Sequence, residues 1–280
     1  MSVVYLLGHP VAHSLSPLLQ NAAFAALGLG HTYEALDVTA EELPQAVERI
    51  RTDDNVLGAN VTVPHKEAVL RLLRSLDGEA SRAGAANTIS KHCDERAAGC
   101  SLQGWNTDGL GFEHALRDAG ITVADKRVLV LGAGGAARAV VPVLVRELAQ
   151  VTIANRDRAR AERLRQTFPT AGGAWRPEVV DWSAVWSVAG ADVVVNATSL
   201  GLDGEDPLAG SPLPERLTVI DLVPTATDTP LVARARAAGC EVLNGLPMLV
   251  HQAALAFTIW TGEPPPLQAM RGAIGLGGKP

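Results

Sequence analysis

The apolar positions of this chain change rhythm near residue 105. Before that point, short apolar runs separated by polar loops predict a mixture of strands and helices. GANVTV (58–63) reads as a strand, and SPLLQNAAFAAL (16–27) reads as a helix with Ser16 as N-cap and Pro17 at the first helical position. HKEAVLRLL (65–73) reads as a helix begun by Pro64. From Lys126 onward, β-branched runs alternate with Ala/Leu/Arg stretches of helical spacing, a βαβ rhythm that predicts a parallel sheet. The predicted strands are RVLVL (127–131), VTIA (151–154), DVVVNA (192–197), TVIDLV (218–223) and EVL (241–243). Beyond Gly245, PMLVHQAALAFTIW reads as one long apolar helix, closed by Thr261-Gly262 and a proline run.

A length of 280 residues, 47% hydrophobic and 19% charged, predicts two compact domains and excludes a disordered chain. The first residues, MSVVYLLGHP, lack a basic segment and a small-residue cleavage site, and no apolar stretch approaches the ~20 residues that span a bilayer. A cytoplasmic protein with no membrane partner is expected. The net charge of −6, without a basic run, argues against nucleic acid and for a small substrate. Three cysteines with no CxxC pair suit a reducing cytosol better than a disulfide framework. HCDERAAGC (92–100) reads as a hairpin tip rather than a metal loop, and no metal is expected.

The first βαβ unit carries the most legible chemistry. RVLVL runs into Gly132-Ala-Gly134-Gly135-Ala136-Ala137 and then into a helix, the context in which a glycine-rich turn lets backbone amides approach a pyrophosphate. Nicotinamide-dinucleotide folds that prefer NAD place an acid at the end of the second strand, for the ribose 2′-hydroxyl. This chain instead reads Asn155-Arg156-Asp157-Arg158-Ala-Arg160, whose guanidinium groups suit a 2′-phosphate, so NADP is the expected cofactor. Asp157 either orients an arginine or faces the ribose and admits NAD.

In the first half, Lys66 falls in the first turn of the helix expected after Pro64, where the helix dipole disfavours a cation and pushes it toward its neutral form. Asn106, Thr107 and Asp108 precede a further helix, GLGFEHALRDAG, yet capping needs only one of them. Asn60/Thr62, Asn87/Thr88 and Asn106/Thr107 are three similar polar sets at element ends, suited to holding a hydroxylated substrate, and Lys66 with Asp108 forms a candidate proton-handling pair.

Seven blocks in order, GHPVAHSLSP, GANVTVPHK, GAANTI, GWNTDGLGF, GAGGAARA, NATSLGL and GLPMLVHQAALAFTIWTG, make the chain resemble the shikimate dehydrogenase family over nearly its whole length. The resemblance implies an α/β protein of two domains separated by a cleft. An α/β substrate-binding domain (1–105) would be followed by a Rossmann-like, doubly wound parallel-sheet nucleotide domain (106–244), with a helical segment (245–280) returning to the first. Two crossings between domains imply a hinge, and closure would exclude water. The implied reaction is the reduction of 3-dehydroshikimate to shikimate with NADPH, in aromatic amino acid biosynthesis, by a monomer or homodimer. Lys66 and Asp108 would be the catalytic pair. Ser14 and Ser16 would bind the substrate carboxylate, and Asn60, Thr62, Asn87 and Gln252 would line the substrate. Gly132, Gly134, Gly135, Ala136, Asn155, Arg156, Arg160, Thr198 and Met248 would hold the cofactor. Four positions depart from the family pattern: Pro224 in place of a tyrosine, Gln20 of a histidine, Leu202 of a methionine and Pro247 of a glycine. Asp157 and the missing tyrosine at Pro224 keep open a quinate/shikimate enzyme using NAD, and a non-catalytic NADP-binding sensor is the third reading.

Overall fold

The computed structural model describes residues 1–93, 99–168, 176–186 and 190–276. In chain order the elements are β1 (Val3–Gly8), α1 (Ser16–Ala26), β2 (Thr32–Asp37), α2 (Leu43–Thr52), β3 (Val56–Val61), β4 (Ser75–Leu76), α3 (Gly78–Ala83), β5 (Thr88–Cys93) and β6 (Cys100–Trp105). They continue as α4 (Asp108–Ala119), β7 (Arg127–Leu131), α5 (Gly135–Arg146), β8 (Gln150–Asn155), α6 (Arg158–Gln166), β9 (Glu178–Asp181), β10 (Val193–Asn196) and β11 (Thr218–Asp221). The last are α7 (Pro230–Ala237), β12 (Glu241–Leu243), α8 (Gly245–Thr261) and α9 (Leu267–Ala273). Contacts divide the chain into one unit of Met1–Gly111 with Leu249–Pro280 and a second of Phe112–Met248, so both breaks fall inside helices, α4 and α8.

The first unit is built on a mixed sheet of order β2-β1-β3-β5-β6-β4. Strand side chains alternate between faces, and β1 shows both faces in use. Val4 and Leu6 pack with Leu19 and Phe24 of α1 and Phe257 of α8, whereas Tyr5 and Leu7 pack with Val47 and Ile50 of α2. A strand covered on both faces must be apolar throughout, which is why VVYLL shows no alternation.

Three local expectations are corrected here. HKEAVLRLL forms no α-helix: Ala68–Leu72 is a short 3-10 turn and Lys66 lies in the turn before it. The Lys66 carbonyl accepts the Ala86 N–H (2.8 Å) and is thereby lost to a helical ladder, so tertiary pairing overrides helical spacing. Ser16 is the first helical residue of α1 rather than its cap, and its N–H donates to Ser14 Oγ (3.2 Å). Cys93 and Cys100 face each other across the β5–β6 ladder with Cα atoms 4.1 Å apart and form a disulfide, against the expected free thiols. The tip of that hairpin, 94–98, lies outside the described residues.

The second unit carries a six-stranded, wholly parallel sheet of order β12-β11-β10-β7-β8-β9, the doubly wound arrangement that reverses direction between β7 and β10. Val128 and Val130 of β7 point to a core with Phe112, Val140 and Leu144 of α4 and α5. Leu129 and Leu131 point to the opposite core with Leu208 and Leu231.

Candidate active site

Strand register gathers the polar sets of the first unit. β1 and β3 run parallel, so the loop after Gly8 and the turn after Val61 leave the sheet at the same end. The antiparallel β5 and β6 bring their own ends there, because Asn60 is opposite Thr88 and Thr88 is opposite Trp105. Three sequence segments, 60–62, 87–88 and 105–108, therefore become neighbours at one edge of a rigid sheet.

Asn87 lies at their centre. Its Nδ2 donates to Thr107 Oγ1 (2.8 Å), to Asp108 Oδ1 (2.8 Å) and to Gln252 Oε1 (3.3 Å), and its Oδ1 accepts from the Thr107 N–H (2.9 Å) and the Thr88 hydroxyl (3.0 Å). Asp108 starts α4, and Asn106 Oδ1 accepts its N–H (3.1 Å), while the Asp108 carboxylate meets Asn87 and Lys66. Lys66 Nζ donates to Asp108 Oδ2 at 2.5 Å, with side chains 15% and 5% exposed. Charges this sheltered require a partner, and each supplies the other's. Gln252 reaches the group because residue 111 is glycine: a Cβ there would lie 2.8 Å from the Gln252 backbone nitrogen. Its Nε2 is held by the Leu249 carbonyl (2.9 Å).

Asn60 joins the same network, donating to the Asn87 carbonyl (3.0 Å) and Thr88 Oγ1 (2.9 Å) and accepting from the Tyr33 hydroxyl (2.7 Å). Its amide is thus bonded on both sides within the protein. Ser14, Ser16 and Thr62 share the end of the sheet without being bonded to Lys66 or Asp108. The Thr62 methyl occupies the place of a side chain at Gly8, whose Cβ would lie 2.3 Å away. Ser16 bonds the Tyr33 phenol, which burial pushes well above its ordinary pKa, with the Ser16 bond acting in the opposite sense. Tyr33 in HTYEALD escapes the sequence reading, and Thr88 in GAANTI enters it only as one of a polar set. Only register reveals where the Tyr33 hydroxyl ends.

In the second unit the glycine turn joins β7 to α5 at the reversal of strand order. Gly132 has φ +110°, and a Cβ there would lie 2.8 Å from the Ala197 carbonyl oxygen, so β7 and β10 approach too closely for any other residue. Gly134 is the N-cap of α5, and the space where its Cβ would stand is open. An uncapped helix N-terminus under open space fits a pyrophosphate. Gly135 and Ala136 form the first turn of α5, and Ala137 is buried against the sheet, which explains why the third glycine is dispensable.

At the end of β8, Asn155 Nδ2 donates to the Asp157 carbonyl (2.8 Å). Asp157 caps α6 by accepting the Arg160 N–H (3.2 Å), with Arg163 3.9 Å away. Arg158 turns to Asp181 (2.9 Å), while Arg156 and Arg160 are exposed. Beyond β10, Thr198 Oγ1 donates to Asn196 Oδ1 (2.6 Å) and accepts the Leu200 N–H (3.1 Å), and Asn196 Nδ2 donates to Asp221 (2.9 Å). Asp221 also accepts from the Val223 N–H and the Thr229 hydroxyl. Burial raises its carboxyl above the ordinary range, against the pull of those bonds. An acid inside the run TVIDLV was a sequence signal for this clasp that hydrophobic patterning passes over. Met248 is buried in α8 at the end of this unit. Among the described residues no helix is long and apolar enough to cross a membrane, and no three acids, histidines or cysteines group as for a metal.

Comparison with known proteins places these features in context. The family model of the shikimate dehydrogenase substrate binding domain matches residues 6–89, that of shikimate/quinate 5-dehydrogenase matches 113–201, and that of the shikimate 5'-dehydrogenase C-terminal domain matches 245–274. The chain is 45% identical over 281 residues to the shikimate dehydrogenase (NADP(+)) of Rubrobacter xylanophilus, covering 98% of this chain and 95% of that one. Its fold is similar to the crystal structure of shikimate 5-dehydrogenase from Thermus thermophilus in complex with NADP(H) and shikimate, with a TM-score of 0.84, 38% identity and 98% of each chain covered. It is also similar to quinate dehydrogenase from Corynebacterium glutamicum in complex with NAD, with a TM-score of 0.84, 31% identity and coverage of 97% and 98%.

Proposed function

The chain belongs to the shikimate dehydrogenase family, and from that premise we propose that it carries out the reversible, NADPH-dependent reduction of 3-dehydroshikimate to shikimate, on the route to chorismate and the aromatic amino acids. The observation that carries this reading is the sheltered Lys66–Asp108 pair beside Asn87 and Gln252. NADPH supplies the hydride. Lys66 stabilises the negative charge that gathers on the ketone oxygen and donates a proton to it, and in the oxidative direction it removes that proton. Asp108 holds the ammonium in place, and Asn87 holds Asp108.

Ser14 and Ser16, beside the start of α1, take the substrate carboxylate. Thr62, Asn87 and Gln252 take the ring hydroxyls. The Asn87 amide offers two hydrogens to three acceptors, so a substrate hydroxyl can replace one of them without orphaning a buried group. Asn60 orients Asn87 rather than meeting the ring. The turn at Gly132, Gly134, Gly135 and Ala136 holds the pyrophosphate, Asn155, Arg156 and Arg160 hold the 2′-phosphate, and Thr198 and Met248 complete the coenzyme side. The same reading makes 1–105 the substrate domain, 106–244 the nucleotide domain and 245–280 the returning segment of a cytoplasmic monomer or homodimer.

Pro224, half-buried where the family has a tyrosine, favours quinate and NAD as a second reading. The Asp157 carboxylate supports the first, because its capping of α6 turns it to the helix. The absorbance of reduced coenzyme, followed with shikimate or quinate and NADP or NAD, separates them. Reduction of NADP by shikimate is expected, reduction of NAD by quinate would move the protein to the second reading, and no reduction in any combination would leave a non-catalytic sensor.

A further inference from the structure

Tyr33 lies on β2, two strands from β3 and four from β6, the strands that lead to Lys66 and Asp108, in a hydrophobic cluster where phenylalanine would fill nearly the same space. A phenol in such a place needs polar partners: its proton goes to Asn60 Oδ1 at 2.7 Å, and Ser16 bonds the same hydroxyl. We propose that Tyr33 is a positioning residue for the reaction: its single proton sets the direction of a hydrogen-bond chain through Asn60, Thr88 and Asn87 that ends on Asp108 and Lys66. The inference rests on the reading of Lys66 and Asp108 as the reacting pair.

Each link allows one direction. With its oxygen on the Tyr33 proton, the Asn60 amide must turn its nitrogen to the Asn87 carbonyl (3.0 Å) and Thr88 Oγ1 (2.9 Å). An inverted amide would set oxygen against the Asn87 carbonyl. Thr88 has one hydroxyl proton, and because its oxygen accepts from Asn60, that proton goes to Asn87 Oδ1 (3.0 Å). With Oδ1 so engaged, Asn87 presents Nδ2 to Asp108 Oδ1 at 2.8 Å, which leaves Asp108 Oδ2 to the lysine. Inverting Asn87 would place an oxygen against the carboxylate. The chain is rigid at its origin, because Asn21 holds the Tyr33 backbone from both sides, accepting its N–H (2.8 Å) and donating to its carbonyl (3.0 Å). The Thr107 N–H also holds Asn87 Oδ1, so loss of the Tyr33 proton loosens Asn87 without releasing it, and a partial effect follows.

Steady-state oxidation of shikimate by NADP tests this with Tyr33→Phe, Thr88→Val, Thr88→Ser and the Tyr33→Phe/Thr88→Val pair, each with its pH profile, its melting temperature and its Kd for NADP. Tyr33→Phe should lower kcat about tenfold and displace the pH profile of kcat, while the Kd for NADP stays within about twofold. Thr88→Val should do the same and Thr88→Ser should recover. The double variant should be no slower than the slower single, because both break one chain. A Tyr33→Phe protein with the wild-type kcat and pH profile, whatever its melting temperature, overturns the inference, as does a double variant whose loss is the product of the two singles. Should Tyr33→Phe fail to fold, Thr88 decides: equal rates for the Val and Ser variants overturn the inference, and recovery by Ser alone supports it. A wild type that leaves shikimate unoxidised brings down the functional reading and this inference together, whereas an active wild type matched by Tyr33→Phe brings down the inference alone.

Discussion

A single lysine shows how a residue can be noticed in the sequence for one reason and held in the structure by another. Lys66 stands out beside Pro64 as a cation where a helix should begin, but no α-helix forms there, so its environment is made by Asp108, 42 positions onward, through a bond that no local pattern encodes. Each partner is legible as a residue in a motif, whereas the pairing needs the register of three strands. Lys66→Ala should lower kcat by at least ~10²-fold, since it removes the group that meets charge on the ketone oxygen. It should also destabilise the first unit by ~3–5 kcal/mol, because Asp108 would remain sheltered without its cation. Steady-state kinetics and denaturant unfolding check both, and a change confined to KM would leave Lys66 a binder. Asp108→Asn should slow turnover while keeping the Asn87 contact, so its stability loss should be the smaller of the two.

At the scale of the element, the strand–turn–helix from β7 to α5 makes two glycines of one motif behave differently. Gly132→Ala meets a left-handed φ and a carbonyl oxygen 2.8 Å from the new Cβ, so it should lower stability by ~1–3 kcal/mol. Gly134→Ala enters open space at an ordinary φ of −87°, so it should leave the melting temperature unchanged and instead raise the KM for NADP roughly tenfold, by intruding where the pyrophosphate approaches. Equal thermal shifts for the two would contradict this assignment. In α6 the division of labour is by direction: Asp157 caps the helix and Arg158 turns to Asp181. Arg156→Ala should therefore cut the preference for NADP over NAD in kcat/KM by at least about tenfold, the worth of one charged hydrogen bond. An unchanged ratio would move the 2′-phosphate elsewhere. The strand and glycine pattern made this element legible in sequence, whereas the role of Asp157 was not, because a cap and a ribose ligand look alike until the strand end is placed.

For the molecule as a whole, five of the six strands of the wholly parallel sheet were legible, because strands covered on both faces are rich in apolar residues and five such runs occur in order from 127 to 243, whereas the edge strand β9, EVVD, was passed over. The mixed sheet was less so, since its order depends on two short antiparallel pairings, β3 with β5 and β5 with β6, whose register no periodicity specifies. The polar clasp of the second unit was hidden for the same reason, because Asp221 reads as an interruption of a strand and only its neighbours reveal a buried carboxylate. That carboxylate gives global stability a pH dependence. Burial raises Asp221 above the ordinary value of about 3.9, so between that value and its native one the folded chain keeps a proton that the unfolded chain releases. The stability it contributes is fully present below about pH 4 and is lost as the pH rises through the native value. Asp221→Asn cannot titrate, and its amide can donate to Thr229 while its oxygen accepts from Asn196 and Val223. The melting temperature of the wild type should therefore fall relative to that of Asp221→Asn as the pH is raised from 4 toward neutrality, whereas parallel curves would mean that Asp221 enters the fold without holding its proton.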